Sequence, residues 1–195
     1  LTQSPFSAVA DEWGTKMVLL HVKGDAEDHQ FLYECPAGLA IEEISAVVLE
    51  IHNLQSKILQ LSLRLRERFF DGSSPESWTA AAISLYRAMS EAVTYVSKDQ
   101  ILHKRSLSPH VLIDHVQNME KEIKVSTLME CSDVSPSDLL SDFDVLNGEM
   151  TQLWWAGKEL VRGKRLCDYI GNNEKTKIVI RLHSTTSAPS HHLST

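Results

Sequence analysis

At 195 residues the chain fits one domain of ordinary size, with or without a small appendage, and is long enough to bury a core. Its 26 acidic and 19 basic side chains leave a net charge of -7, which disfavours a generic grip on nucleic acid or on an anionic bilayer. Cys35, Cys131 and Cys167 are far apart and never form a C-x-x-C pair, so neither a disulfide framework nor a thiolate zinc site is indicated, and the pattern suits a reducing cytosol. There is no signal peptide, no run of about 20 apolar residues and no N-x-S/T acceptor, which argues against secretion and membrane insertion.

Residues 1–16 read as a polar, flexible leader with Ser4-Pro5 and Gly14 as breakers. Met17-Val18-Leu19-Leu20-His21-Val22 reads as a strand closed by Lys23-Gly24-Asp25, and Gln30-Phe31-Leu32-Tyr33-Glu34-Cys35 follows as its hairpin partner. From Ile41 the apolar period changes from two to about 3.5. Ile44, Val47, Ile51, Leu54, Ile58, Leu61 and Leu65 then form one stripe of a long helix, which is expected to face the chain's own core, the alternative being a coiled-coil seam.

Three later helices share a start signal, because Ser74-Pro75, Ser108-Pro109 and Ser135-Pro136 each place a capping hydroxyl before a proline at the first helical position. The first of these helices carries Ala82, Tyr86, Met89, Val93 and Val96 on one face, and the second carries Leu112, Val116, Met119 and Ile123. The third opens a short acidic turn of helix around Asp138 to Asp144, with Asn147-Gly148 as a break. A further helix is expected around the tryptophan pair, with Met150, Leu153, Leu160 and Val161 inward and Gly157 and Gly163 weakening it, each by about 1 kcal/mol. Gly171-Asn172-Asn173 stops that helix, and Ile178, Ile180 and Leu182 alternate with Lys177, Val179 and Arg181 in a final strand.

A hairpin, a long helix and a strand delayed by more than a hundred residues predict that the last strand returns beside the first, parallel to it, across the helices between. The expected fold is therefore α+β: a small β-grasp (ubiquitin-like) sheet closed by the C-terminal strand, with a helical insertion or bundle. The expected organisation is one domain at 17–183, with hairpin and long helix at 17–70, helical insertion at 74–147, and tryptophan helix and closing strand at 150–183, followed by a disordered tail at 184–195.

Signals for chemistry are thin. The chain has no glycine-rich phosphate loop, no H-E-x-x-H and no G-x-S-x-G elbow. His110 and His115 are five residues apart, not the four that align two ligands on a helix, and His191-His192 has no further ligand nearby. The cysteines would be nucleophiles only with an activating base and a depressed pKa, and no sequence feature points to either, so they are expected to be core or surface thiols. No enzyme activity, cofactor or metal is expected.

Recognition is better represented. Trp154 and Trp155, about 100° apart on a helix, cannot face the same way; both are expected to pack within the domain, one in the core and one at its rim, the alternative being that one is an interface anchor. Residues 158–181 bring Lys158, Arg162, Lys164, Arg165, Lys175, Lys177 and Arg181 together against Glu159, Asp168 and Glu174, a basic concentration in an acidic protein. Such charges form either a solvated face or a docking patch for an acidic partner, and tryptophan and arginine are the residues enriched at interface hot spots. The candidate partner-binding residues are Trp155, Lys158, Arg162, Lys164, Arg165 and Lys175.

The segment Gln152-Leu153-Trp154-Trp155, Lys158-Glu159-Leu160, Asp168-Tyr169, Gly171 and Asn173-Glu174-Lys175-Thr176-Lys177-Ile178 resembles the signature of the cilia- and flagella-associated Kurly family. Met17-Val18-Leu19-Leu20-His21-Val22-Lys23 resembles the family's opening residues. Between these ends the match is mainly helical pattern. Two features depart from it: Asp11-Glu12-Trp13-Gly14-Thr15-Lys16 precedes the first strand, whereas the family carries such a segment after the first long helix, and the family's charged C-terminal extension does not follow Thr195. The resemblance implies a non-enzymatic adaptor or scaffold for motile cilia and flagella, acting in the cytoplasm in assembly of axonemal dynein arms. Its implied partners are dynein assembly factors or subunits and co-chaperones, with no nucleic acid and no membrane. The alternative is a structural axonemal protein on the microtubule.

Overall fold

Alternation of apolar and polar residues builds the first hairpin. In a computed structural model, which describes residues 16–26, 29–72, 74–129, 135–171 and 177–184 with the side chains of 128 and 129 excepted, β1 is Met17–Lys23 and β2 is Gln30–Pro36. They pair antiparallel from Met17 opposite Pro36 to Lys23 opposite Gln30. Val18, Leu20 and Val22 on β1 and Phe31 and Cys35 on β2 are fully buried. The leader up to residue 15, Cys131, Lys175 and the tail beyond Ser184 lie outside the described residues.

Helix α1, Ile41–Leu65, is 25 residues long and so runs about 37 Å. Glu42 and Glu43 occupy its first turn, where the helix dipole favours negative charge. The predicted stripe does face the core: Ile44, Ile51, Ile58, Leu61 and Leu65 are fully buried, while Val47 and Leu54 pack against the same core from partly buried positions. Ile41 and Val48 are also fully buried, so α1 is covered over more of its circumference than a single seam. It ends in one π-helical turn, Arg66–Phe70.

Three further helical segments follow α1. α2 is Ala80–Val96, α3 is the single turn Asp99–Leu102, and α4 is Pro109–Met129. α2 and α4 pack on each other and both on α1. Leu112, Val116, Met119 and Ile123 are buried as their spacing predicts. On α2 the buried face is Ala81, Ala82, Leu85, Ala88, Met89, Ala92 and Val96, which leaves Tyr86 exposed and Val93 only partly buried. The Ser74-Pro75 signal starts a 3-10 turn, Pro75–Ser77, and α2 itself is capped by Thr79, whose hydroxyl accepts from the Ala82 N–H at 3.1 Å. Ser108-Pro109 and Ser135-Pro136 do open helices, α4 and the short α5, Pro136–Leu140.

The tryptophan segment is not a helix. Thr151–Trp155 is strand β3 and Lys158–Glu159 is strand β4, joined by Ala156 and Gly157 at φ +48° and +79°. A two-residue hairpin turn with positive φ at both positions matches the twist of the flanking strands. Gly157 therefore makes the turn, and Gly163, at φ +85°, makes the loop that follows, so neither is a weak point in a helix. A four-residue helix α6, Cys167–Ile170, ends at Gly171, also at positive φ, before strand β5, Lys177–Ser184.

β5 runs parallel to β1, with Leu20 opposite Ile178 and Val22 opposite Ile180, and antiparallel to β3, with Leu153 opposite Leu182. The sheet order is β2-β1-β5-β3-β4. The last strand thus returns beside the first, as an interior strand and not as an edge. The architecture is mixed α+β with one continuous core shared by sheet and helices.

The edge of β2 is shielded by side-chain amides. Gln100, fully buried on α3, accepts from the Leu32 N–H at 3.1 Å and donates to the Gln30 carbonyl at 2.9 Å. Gln55 of α1 donates to the same carbonyl and to that of Val96, each at 3.2 Å, and the Leu107 N–H donates to the Leu32 carbonyl at 2.7 Å. The helical insertion thereby occupies hydrogen-bonding positions that a bare edge would offer to another chain. Replacing Gln100 with leucine strands the buried Leu32 N–H. The expected loss, read as ΔG in urea unfolding, is on the order of 2 kcal/mol, accompanied by a greater tendency to aggregate on heating.

Candidate functional site

The basic loop between β4 and α6 is a rigidly anchored element. The Leu160 N–H donates to the Leu153 carbonyl at 2.8 Å, and the Val161 N–H donates to the Tyr169 hydroxyl at 2.7 Å. The Gly163 N–H donates to the Glu42 carboxylate at 2.8 Å, while the Lys164 carbonyl accepts from the Ile41 N–H at 2.9 Å. Leu166 and Cys167 donate to the carbonyls of Leu39 and Ala37, and buried Leu166 pins the loop into the core. The loop is thus stitched to the first turn of α1, and its cations project from a fixed base.

The candidate residues separate accordingly. Arg162, Lys164 and Arg165 share the loop and are exposed. Arg162 donates to the Gly148 carbonyl at 2.7 Å, which orients its guanidinium along the rim of a groove between α1 and β3. That groove, about 260 Å³, has Ala46, Leu49, Leu153 and Leu182 among its apolar walls. The Lys164 ammonium stands 5.5 Å from the centre of the Tyr169 ring. Asp168 accepts from the Arg165 backbone N–H at 2.8 Å, and with Glu42 it places carboxylates among the cations. Lys158 is exposed on β4, away from this loop's anchor points, and Lys175 lies outside the described residues.

Trp155 does not stand out from the surface as a contact anchor. On a strand, successive side chains point to opposite faces, so the tryptophans divide across the sheet and not around a helix. Trp155 points inward with Leu153 and packs, half-buried, against the core. Trp154 points outward, its indole N–H donating to the Gln152 side-chain Oε1 at 3.3 Å and its ring meeting His183 edge-on at 6.3 Å. The outward tryptophan is therefore the one the candidate set left out. Strand alternation would have revealed it, had the segment been recognised as a hairpin.

The other titratable groups have structural surroundings. Burial pushes the Cys35 thiol up to about 12, with Glu34 adding to the effect, so it is not poised as a nucleophile. His115 packs against Tyr95, and His110 is exposed at the start of α4. Among the described residues, no group of three His, Cys, Asp or Glu side chains is placed to hold a metal ion. No helix among them is long and apolar enough to cross a membrane.

The family model described as cilia- and flagella-associated protein 298 matches residues 151–193, a span that opens with β3 and takes in β4, the basic loop, α6 and β5. A curated protein of that name from Danio rerio is 25% identical over 85% of this chain and 76% of its own length. The chain is similar to proteins of the cilia- and flagella-associated protein 298 family. The Homo sapiens protein of that name is 23% identical over the same shares, and a Xenopus laevis form, 298-A, is 53% identical over 38 residues, 20% of this chain. No solved structure matches the chain.

One buried group gives the fold a pH dependence. His52 on α1 is 6% exposed, its Nδ1 has no hydrogen-bond partner within the protein, and its ring meets that of His29 edge-on at 5.1 Å. Burial first, and then His29, lower its pKa from 6.5 to about 4, against an opposing pull from Asp25. Between those values the unfolded chain binds the proton more readily than the folded one. The stabilisation from keeping His52 neutral is therefore complete above pH 6.5 and is lost as pH falls toward 4, a difference on the order of 3 kcal/mol. Urea titrations at stepped pH should show a steeper acid loss in the parent than in a His52→Leu variant, and parallel curves for the two would contradict this account.

Proposed function

We propose that this chain is a non-enzymatic adaptor of motile cilia or flagella, acting in the cytoplasm in assembly of axonemal dynein arms, and that its basic loop engages acidic surfaces of assembly factors, dynein subunits or co-chaperones. The observation that carries the loop assignment is the anchoring of residues 160–167 to the start of α1, which holds exposed Arg162, Lys164 and Arg165 in one place. A fixed scaffold reduces the entropy that long cationic side chains lose on binding, and complementary charge steers the encounter. The ciliary setting rests on likeness to proteins named for their association with cilia and flagella.

The strand order β2-β1-β5-β3-β4 with α1 following the first hairpin supports reading the sheet as a β-grasp, ubiquitin-like platform. The helices between α1 and β3 are then an insertion that shields one sheet edge and enlarges the core. Such a platform suits binding more than catalysis, because its polar groups serve the backbone and not a reaction centre.

In a flagellated cell, an assembly adaptor partitions into the detergent-soluble cytoplasm, and its depletion removes dynein arms from axoneme cross-sections. Retention in the salt-washed axoneme would favour a structural role on the microtubule instead. The charge-reversed variant R162E/K164E/R165E should stay folded yet lose most rescue of beating and arm assembly. Because Arg162 also holds the Gly148 carbonyl, K164E/R165E serves as the variant that spares that bond. Full rescue by both variants would remove the loop from the mechanism.

A further inference from the structure

The sheet buries only one of its faces. Val18, Leu20, Val22, Phe31, Cys35, Leu153, Ile178, Ile180 and Leu182 fill the inner face as part of the core. The alternate side chains look outward, and most meet solvent: Met17 and Val179 are 44% and 45% exposed, and Lys177, Arg181 and His183 are exposed as well. Leu32 is the buried exception, at the β2 edge beside Gln100 and Leu107.

Strand register arranges these outward residues in rows. Lys23, Arg181, Trp154 and Glu159 are successive neighbours across β1, β5, β3 and β4. One row along β5, Val179 lies beside His21, and the next row sets Lys177 beside Leu19 and Glu34. With strands about 4.8 Å apart and about 3.3 Å per residue, Lys23 and Arg181 are close neighbours and Lys177 lies about 13 Å from Arg181 along β5. Along β5 the outward charges are the exposed cations Lys177 and Arg181, while the carboxylates stand at the margins of the face: Glu34 on the β2 edge, Glu159 on the β4 edge, and Asp25 just past the end of β1, 3.8 Å from His183. His21, bonded to Gln30 at 3.2 Å, feels this field: burial lowers its pKa first, and Lys177 and Lys23 lower it further.

We propose that this outer face is a second docking surface, separate from the basic loop, for an extended acidic segment of a partner protein. A strand-like peptide laid along β5 repeats every two residues on one side, so carboxylates four residues apart reach Lys177 and Arg181 while the residue midway between them sits on Val179. The recognised pattern is acidic-x-apolar-x-acidic, with Trp154 beside Arg181 at one end of the stripe. Three cations spread across the face and interrupted by Glu34 and Glu159 suit discrete carboxylates better than the continuous phosphate track of a nucleic acid, which would also meet the chain's overall negative charge. Lys177, Arg181, Lys23 and Trp154 are not residues of the basic loop, so this surface stands or falls independently of the loop's role.

The test titrates the full 15N-labelled chain with a synthetic peptide carrying Glu-Ser-Leu-Ser-Glu between Gly-Ser ends, beside a control in which lysine replaces both glutamates. The expected result is saturable shifts at the amides of Lys177, Val179 and Arg181 and at the Trp154 indole, with none from the control. K177E/R181E should weaken binding at least about tenfold, R181A less, and the loop variant K164E/R165E not at all, each variant keeping the parent's melting temperature. Shifts confined to the Arg162–Arg165 loop, equal binding of the control, equal losses in sheet and loop variants, tighter binding of single-stranded oligonucleotide at the same face, or no saturation by millimolar peptide would each overturn the proposal.

Discussion

The parallel pairing of β5 with β1 is the constraint on which the structure depends. Without it the chain has two separate hairpins, β1–β2 near its start and β3–β4 far along, each too small to be stable alone. β5 joins them because it pairs with β1 on one side and β3 on the other. Its inward residues Ile178, Ile180 and Leu182 face the core that α1 also enters, so sheet formation and helix packing are one event. The entropy of closing so long a loop must be met by contacts that form only when β5 arrives, which makes this a topology of non-local pairing.

Helix α1 gives that closure its cooperativity. Its apolar residues serve the shared core, and its polar ones tie down distant segments. Asn53 exchanges two hydrogen bonds with the Leu146 backbone, at 2.9 and 3.1 Å, and Arg64 donates to the carbonyls of Leu139, Ser141 and Asp142. Gln55 reaches the β2 edge, and Glu42 fixes the basic loop. One helix therefore positions the insertion, shields the sheet edge and holds the loop from which the cations project. The cost of this economy is His52, whose neutral state the core requires.

The basic stretch at 158–181, continuous in sequence, is divided in space. Arg162, Lys164 and Arg165 belong to a loop at the start of α1, whereas Lys177 and Arg181 belong to the outer sheet face with Lys23 and Trp154. Trp155 and Leu160 serve the fold. Much of what makes the segment distinctive is thus the hairpin and central strand of the sheet, and its recognition chemistry lies in the residues that alternate away from the core.

The first hairpin, the stripe of α1 and the α4 face were legible in the sequence because each has a period of two or of about 3.5 that survives without knowledge of neighbours, and the parallel return of β5 was legible from the helices that separate it from β1. The tryptophan hairpin was not legible. Its turn uses Ala156-Gly157 in place of the usual asparagine-glycine, and its strands are so short that their apolar residues also fit a helical spacing. Tertiary pairing with β5 decides the matter, since Leu153, Trp154 and Trp155 gain a ladder there that no local signal announces. By itself the sequence determined where apolar surface must be hidden and where positive charge accumulates. Only the tertiary structure decided which cations share a face, because that depends on strand register across a sheet whose members are more than a hundred residues apart.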